Sequence, residues 1–308
     1  MSAGVGLPGG ADGGVGVVTD STADLSLELT DQLGLRVVPM SVTINDTTYI
    51  SRVSINDEQF YDLLDHAAVL PTTAQPNPAW FEEAFADCVD DGLEAVVCFH
   101  VSRELSGTVS AATRAAQDAG LRVEVVDSRQ VGGGLALMAL TAQRVARAGG
   151  SVADVTAAAE AIRGNLVNVL LVDTLEYLRR GGRVSGTRAM VGNVLKVKPI
   201  LQVADGRVEP VERTRTFARG LDRLVERVAE SIGDRPADVI VTHALAPERA
   251  EELWALVRER IDVASALTTV FGPVLGTHTG PGAVAIAAAP AGDDLLLPPE
   301  LADPQPDT

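Results

Sequence analysis

The hydrophobic and polar positions in the first half of the chain repeat one unit: an apolar run, a polar turn and an amphipathic stretch. The runs Val15–Thr19, Ala95–Val101 and Val123–Val126 carry apolar residues on both faces, as parallel strands between two helical layers do. The repeat therefore predicts an open, mostly parallel α/β sheet domain over residues 15–164, with ligands beyond the carboxyl ends of its strands.

The other elements of this half are less regular. The pattern predicts a second strand over Val37–Ile44 and a rigid, proline-rich loop over Pro71–Pro78. Amphipathic stripes predict helices over 26–33, 57–68 and 133–148, and another helix around Phe81, Ala84, Phe85 and Cys88. Polar turns follow the strands at Asp20–Thr22 and Ser102–Thr108, and the parallel order predicts that these turns share one edge of the sheet.

The second half has a different order of elements. Asp205-Gly206 lies between two apolar runs, which predicts a hairpin. Helices are predicted over 152–163, 216–232 and from Pro247 onward, and strands over 169–173, 239–242, 266–271 and 283–289. This order predicts an α+β domain over residues 165–290, with a mixed or antiparallel sheet and helices on one side. Residues 1–14 and the acidic, proline-rich residues 291–308 are expected to be disordered.

A glycine-rich stretch, Gly272–Gly282, connects the last two predicted strands. Four glycines and two prolines in eleven residues predict a tight turn rather than a regular helix or strand. Backbone N–H groups in such a turn can face a small anionic or polar ligand, and Thr277, His278 and Thr279 lie inside it. The alternative interpretation is a long hairpin connection in which His278 is an ordinary turn residue.

Composition narrows the classes of function. A formal net charge of −17 argues against a dominant nucleic-acid role and against an anionic membrane surface. No apolar run approaches the ~18 residues of a membrane span, and the amino terminus lacks a signal-peptide pattern, so a cytoplasmic protein is expected. Cys88 and Cys98 lie in apolar runs and are expected to be buried thiols. The four histidines have no metal-ligand spacing, so no metal site is predicted.

Polar residues with possible chemistry cluster at Asp20–Thr22, Thr72–Gln75, Ser102–Thr108 and Thr277–Thr279, with Arg183 in a Gly-Gly-Arg turn. No phosphate-loop, zinc-protease or nucleophile-elbow signature occurs. Asp20, Ser106 and His278 form a Ser-His-Asp set if the fold brings them together. Alternatively, Ser106 donates a hydrogen bond to a ligand and His278 is its neighbour. The residues themselves leave both interpretations open.

Six segments in order carry a resemblance to a known family over about residues 15–290. They are Val18–Leu25, Thr73–Pro76, Leu105–Thr108, Val126–Ser128, Gly181–Ser185 and Gly272–Gly282. Together they resemble the DegV family of bacterial fatty-acid-binding proteins. The resemblance implies a two-domain carrier that buries a long acyl chain between its domains and has no cofactor besides that ligand. It further implies that the carrier presents the fatty acid to a separate ATP-dependent fatty acid kinase, whose acyl-phosphate product enters phospholipid synthesis.

The resemblance also implies site residues. It assigns the carboxylate to Thr73, Ser106 and His278, and it puts Arg183 near the head group; Gly107 and Thr277 complete the expected ligand-binding set. The family's usual Thr-Ser-Gln-Pro-Ser is Thr73-Ala74-Gln75-Pro76-Asn77 here, and its usual aromatic after Leu-Ser-Gly-Thr is Val109. These departures affect the shape of the tunnel more than the carboxylate ligands. The competing hypotheses are a serine hydrolase or acyltransferase that uses Ser106 and His278, and a binder of short carboxylates without a lipid tunnel.

Overall fold

A computed structural model describes residues 14–185, 197–292 and 296 of the chain. In chain order, the strands are β1 (Val15–Asp20), β2 (Arg36–Val38), β3 (Ser41–Ile44), β4 (Thr47–Ile50), β5 (Thr72–Ala74), β6 (Ala95–His100), β7 (Arg122–Asp127), β8 (Val167–Leu171), β9 (Lys198–Ala204), β10 (Arg207–Thr214), β11 (Ala237–His243), β12 (Val263–Val270) and β13 (Val284–Pro290). The α-helices are α1 (Leu27–Leu33), α2 (Asp57–Asp65), α3 (Pro78–Asp90), α4 (Thr108–Ala115), α5 (Gly133–Arg147), α6 (Val152–Arg163), α7 (Glu176–Arg180), α8 (Phe217–Ile232), α9 (Pro247–Arg260) and α10 (Pro273–Thr279).

The first sheet is parallel, with the order β2-β1-β6-β7. Helices cover both faces, because α5 and α6 share one hydrophobic core with β1 and β6 while α3 and α4 share another with the opposite face. The predicted open parallel sheet is therefore confirmed. The two predicted polar turns do share one edge, since the Asp20 carboxylate at the end of β1 accepts the N–H of Val101 just beyond β6 at 2.9 Å.

The predicted single strand over Val37–Ile44 is wrong. Pro39 interrupts it because proline has no N–H to continue a ladder, and the two halves join different sheets. Thus β3 becomes the centre of a small antiparallel sheet with the order β4-β3-β5. Its edge strand β5 lies inside the stretch that was predicted to be a loop, where Thr73 pairs with Val42.

The second large sheet has six strands in the order β10-β9-β8-β13-β11-β12. Only the β11–β12 pair is parallel, so the predicted mixed sheet is confirmed, as is the hairpin around Asp205-Gly206. Helices α8 and α9 cover one face with a common core.

Helix α5 connects the two large sheets, because its buried residues pack in one core with Val17 and Phe99 of the first sheet and with Ile240 and Ala287 of the second. The expected division at 164/165 falls between α6 and β8, and this core extends across it.

The prediction that Gly272–Gly282 contains no regular helix is wrong, because Pro273–Thr279 forms α10. Proline is compatible with the first position of a helix, where no N–H partner is needed. Gly272 precedes the helix and Gly280 ends it with a φ of 72°, so only Gly276 lies inside. A Cβ at Gly276 would lie 2.6 Å from Cε1 of Phe60, so this glycine lets α10 pack closely against α2.

The two ends that were expected to be disordered lie almost wholly outside the described residues. At Leu296 the structure differs from that expectation. Its side chain is only 5% exposed and packs in the core around α5, and its N–H donates to Oγ of Ser265 at 3.2 Å. Gly186, which follows the Gly181–Ser185 segment, also lies outside the described residues.

Candidate functional site

A cavity with about 810 Å³ of empty space, its open mouth included, lies between the two large sheets. The turn after β6, the six-stranded sheet and α10 all contribute to its wall. Most of that wall is apolar, including Val101, Leu105, Leu170, Val203, Phe271 and Leu275. A cavity of this kind, with a few polar groups at defined places, is typical of a site for an elongated apolar ligand with one polar end.

The polar groups include a pair that joins two elements distant in sequence. Thr73 in β5 and His278 in α10 both line the cavity, and the Oγ1 of Thr73 lies 3.0 Å from the Nε2 of His278. The other ring nitrogen, Nδ1, is buried and has no hydrogen-bond partner among the described residues. A Cβ at Gly181 would lie 2.3 Å from that Nδ1, so a glycine is required behind the imidazole.

The His278 imidazole is neutral at neutral pH. Burial, followed by the positive charge of Arg183, lowers the pKa of His278 from 6.5 to about 4. The sequence left the protonation state open, because neither burial nor the neighbouring cation can be inferred from it. As a neutral ring, His278 offers one N–H donor and one acceptor.

Ser106 reaches the same cavity from the turn between β6 and α4. That turn is closed by hydrogen bonds from the N–H groups of Leu105 and Ser106 to the carbonyl of Ser102, at 2.9 and 3.1 Å. The hydroxyl of Ser106 lies 2.8 Å from that of Thr108. Ser106 therefore shares the polar part of the wall with Thr73 and His278.

Arg183 lines the cavity at an exposed position, and its Nε donates to the carbonyl of Leu105 at 3.3 Å. The two remaining predicted residues lie beside the cavity rather than in its wall. A Cβ at Gly107 would lie 1.9 Å from Oε1 of Gln75, so Gly107 allows the segment after β5 to approach the Ser106 turn. The Thr277 hydroxyl donates within α10 to the carbonyl of Pro273 at 2.8 Å.

A second recess, of about 730 Å³ with its mouth, lies on the other side of the polar groups. Its wall includes Tyr177 and Arg180, and it shares Thr73, Arg183 and His278 with the main cavity. These three shared side chains therefore separate the apolar cavity from the outer recess.

The possible Ser-His-Asp set is not assembled. The Asp20 carboxylate contacts Nδ1 of His100 at 3.2 Å and accepts the Thr22 hydroxyl at 2.6 Å, so its partners are not His278. The polar contacts of Ser106 and His278 are likewise with Thr108 and Thr73. The triad hypothesis fails because Asp20 is used to join β1 to β6.

Asn168 is a polar wall residue that the sequence did not single out. It lies one position before the predicted strand over 169–173, and the structure begins β8 at Val167. Within the described ranges, no group of three or more His, Cys, Asp or Glu side chains is placed to hold a metal ion. The helices described here include none with the length and apolar character to cross a bilayer.

An α/β fold with one parallel and one mixed sheet around an apolar, polar-ended cavity defines the structural class, and comparison with known proteins identifies the family. The DegV family model matches residues 14–291. A DegV domain-containing protein of Streptomyces coelicolor is 37% identical over 276 residues, which cover 89% of this chain and 98% of that protein. The chain belongs to the DegV family.

Solved structures agree with this assignment. A structure described as showing fatty acid binding of a DegV family protein from Thermus thermophilus has 31% identity and a TM-score of 0.85, and covers 90% of this chain and 100% of its own. DegV from Bacillus subtilis, described as a fatty acid binding protein, has 30% identity and a TM-score of 0.81, and covers 91% of this chain and 100% of its own.

Proposed function

We propose that this protein binds a long-chain fatty acid in the cavity between its two large sheets, with residues 15–164 and 165–290 acting as the two domains around it. One observation carries the proposal: an apolar cavity ends at the hydroxyl–imidazole pair of Thr73 and His278. Burial of each methylene contributes about 0.8 kcal/mol. A chain of ~15 methylenes thus contributes roughly 12 kcal/mol before the costs of ordering.

In this proposal Thr73, Ser106 and His278 hold the carboxylate, with His278 acting through the Thr73 hydroxyl. If the Nε2–H of His278 donates to the Thr73 hydroxyl, the hydrogen of that hydroxyl is free to donate to the carboxylate. Ser106 supplies a second O–H, and Arg183 supplies positive charge at the mouth. Gly107 and Thr277 act indirectly, by allowing the close approach of Gln75 and by stabilising α10. Such donors offset the large cost of burying a carboxylate.

The protein acts as a carrier rather than an enzyme in this proposal. It presents the carboxylate to a separate ATP-dependent fatty acid kinase in the cytoplasm, and the resulting acyl-phosphate enters phospholipid synthesis. The outer recess supports this arrangement, because it adjoins the head-group residues on the side away from the apolar cavity. A γ-phosphoryl group approaching through the recess reaches the carboxylate without passing the acyl chain.

Mass spectrometry of lipids extracted from the purified protein tests the binding step. We expect about one equivalent of free fatty acid per chain; an empty extract together with tight binding of a short acid would instead indicate a small-carboxylate binder. Labelling of Ser106 by an activated phosphonate would contradict the carrier role as the only one.

The presentation step needs its own test, with the kinase, ATP and the protein loaded with fatty acid. Ser106→Ala is expected to lose acyl-phosphate formation while its unfolding curve stays close to that of the wild type. Ser110→Ala, at an exposed position in α4, is the matched control and should keep full turnover. Unchanged turnover in Ser106→Ala would contradict the carboxylate assignment.

A further inference from the structure

The wall of the apolar cavity contains one polar side chain away from the sequence motifs, Asn168 of β8. Its residue is only 4% exposed. Side chains alternate across a strand, so Asn168 shares the cavity face of β8 with Leu170, which also lines the cavity. The intervening Val169 packs on the opposite face, in the core beneath α8. An amide in this position needs a reason, because burying polar groups without partners is unfavourable.

The orientation of the Asn168 amide is fixed by its neighbours. Its Nδ2 lies 2.8 Å from the carbonyl oxygen of Val131 and 3.2 Å from Oε1 of Gln130. A backbone carbonyl only accepts hydrogen bonds, so the atom facing Val131 must be the NH₂ group. Both hydrogens of that group are then used. The only hydrogen-bonding capacity left on Asn168 is the acceptor Oδ1, and none of the hydrogen bonds among the described residues uses it.

The space around this amide is fixed as well. Asn168 lies over the amino-terminal end of α5, where a Cβ at Gly134 would be 2.7 Å from Nδ2 of Asn168 and 2.5 Å from Oε1 of Gln130. The Asn168 amide has no room to rotate toward α5. We therefore infer that its free acceptor, Oδ1, is available to a ligand in the cavity. A saturated acyl chain packed against this oxygen would leave it unsatisfied, which is costly. A chain with a hydroxyl group at that depth would donate to it.

We propose that Asn168 makes this cavity selective for acyl chains that carry a hydroxyl group partway along the chain. This inference rests on the proposed fatty-acid function and names the subclass of fatty acid that the same cavity prefers. The head group would be held as in an unsubstituted acid, and the second polar contact, Oδ1 with the ligand hydroxyl, would set the depth at which the substituent is accepted.

Displacement of a fluorescent fatty acid by stearic acid and by a series of hydroxystearic acids, with the hydroxyl moved along the chain, tests the proposal. We expect one position, or two adjacent ones, to bind about tenfold more tightly than stearic acid, because a satisfied acceptor replaces an unsatisfied one. The other positions should bind more weakly than stearic acid. A flat profile, or uniformly weaker binding of every hydroxy acid, would overturn the proposal without requiring a variant.

Asn168→Leu should abolish the preference and bind stearic acid at least as tightly as the wild type. Asn165→Leu makes the same substitution at an exposed position outside the cavity and should leave the preference intact. A preference that survives in a folded Asn168→Leu protein would overturn the assignment. Failure of stearic acid itself to bind the wild type would remove the proposed function as well, whereas tight binding of stearic acid with a flat profile would remove only this inference.

Discussion

Thr73 and His278 are 205 positions apart in the chain, yet the hydroxyl of one lies 3.0 Å from the imidazole of the other. The contact joins β5, an edge strand of the small sheet, to α10, the helix between β12 and β13 of the mixed sheet. A head group held by this pair is therefore held by two separate parts of the fold.

The Thr73 hydroxyl should contribute more to fatty acid binding than the hydroxyl of the adjacent Thr72. Thr73→Val keeps the shape and the β-propensity of the side chain but removes the hydroxyl that we propose donates to the carboxylate. Because a hydrogen bond to a charged group contributes about 1.5–3 kcal/mol, we expect fatty acid binding to weaken roughly 10- to 100-fold in a fluorescence displacement assay. Thr72→Val changes an exposed hydroxyl one residue away and should leave binding unaltered. Equal losses in the two variants would contradict the head-group assignment.

The His278 imidazole should make the stability of the ligand-free protein dependent on pH. Its pKa is about 4 in the folded protein against an ordinary 6.5, so the unfolded chain binds a proton in this range that the folded one does not. The contribution is complete above pH 6.5 and is lost as the pH falls toward 4, up to about 3 kcal/mol. The free energy of unfolding in urea should fall less between pH 7.5 and pH 4.5 in His278→Gln than in the wild type.

The matched control is His66→Gln, at an exposed position outside the site, which should retain the pH dependence of the wild type. Parallel pH profiles for the wild type and His278→Gln would show that the imidazole is not held neutral by burial.

Replacing the Asp24 carboxylate with an amide should stabilise the folded protein. Its Oδ1 accepts the N–H of Gly272 at 3.1 Å, while its Oδ2 is buried without a partner among the described residues. Burial, followed by the Asp57 carboxylate, raises the pKa of Asp24 well above its ordinary value. The folded state thus binds the extra proton, and stability is lost as the pH rises through this elevated pKa.

Asp24→Asn keeps the acceptor for Gly272 and removes the ionisation. We expect a higher free energy of unfolding than the wild type at pH 8, with the difference shrinking toward pH 4. Asp118→Asn, at an exposed position, should show no such pH-dependent difference from the wild type. A destabilised Asp24→Asn at pH 8 would mean that the carboxylate is ionised and stabilising.

Gly206 at the tip of the β9–β10 hairpin should tolerate no side chain. It has a φ of 82°, and a Cβ there would lie 2.4 Å from Oγ of Ser102, on the turn that leads to Ser106. Gly206→Ala combines backbone strain with this clash, and we expect a loss of about 2–3 kcal/mol in chemical unfolding. Gly92→Ala, at the end of α3, has a similar φ of 77° with nothing within 4 Å, so it should lose only about 1 kcal/mol. Equal losses would show that the hairpin tip does not press on the turn.

The sequence predicted most of the elements because their apolar periodicity is local. The sequence-based predictions failed where a contact distant in sequence determines the structure, or where a single residue sets the end of a helix or strand. A glycine-rich loop predicts an interrupted helix, yet most of the glycines between Gly272 and Gly282 flank α10 rather than lie inside it. Pro39 ended one strand and released the next into another sheet.

Within the site, motifs indicated Thr73, Ser106, Arg183 and His278, and all four line one cavity. The role of the carboxylate contacts remains a prediction. Asn168 could not be found in this way, because its partner Gln130 is 38 residues away and an isolated asparagine beside a strand carries no signal of its own.

Helix α10 is held at both ends. Just before it begins, the Gly272 N–H donates to the Asp24 carboxylate and the Phe271 carbonyl accepts the Tyr61 hydroxyl at 2.8 Å. Near its end, His278 contacts the Thr73 hydroxyl. Its side chains also form part of the cavity wall. Moving this wall aside therefore breaks contacts at both ends of the helix and dismantles the head-group site in the same step.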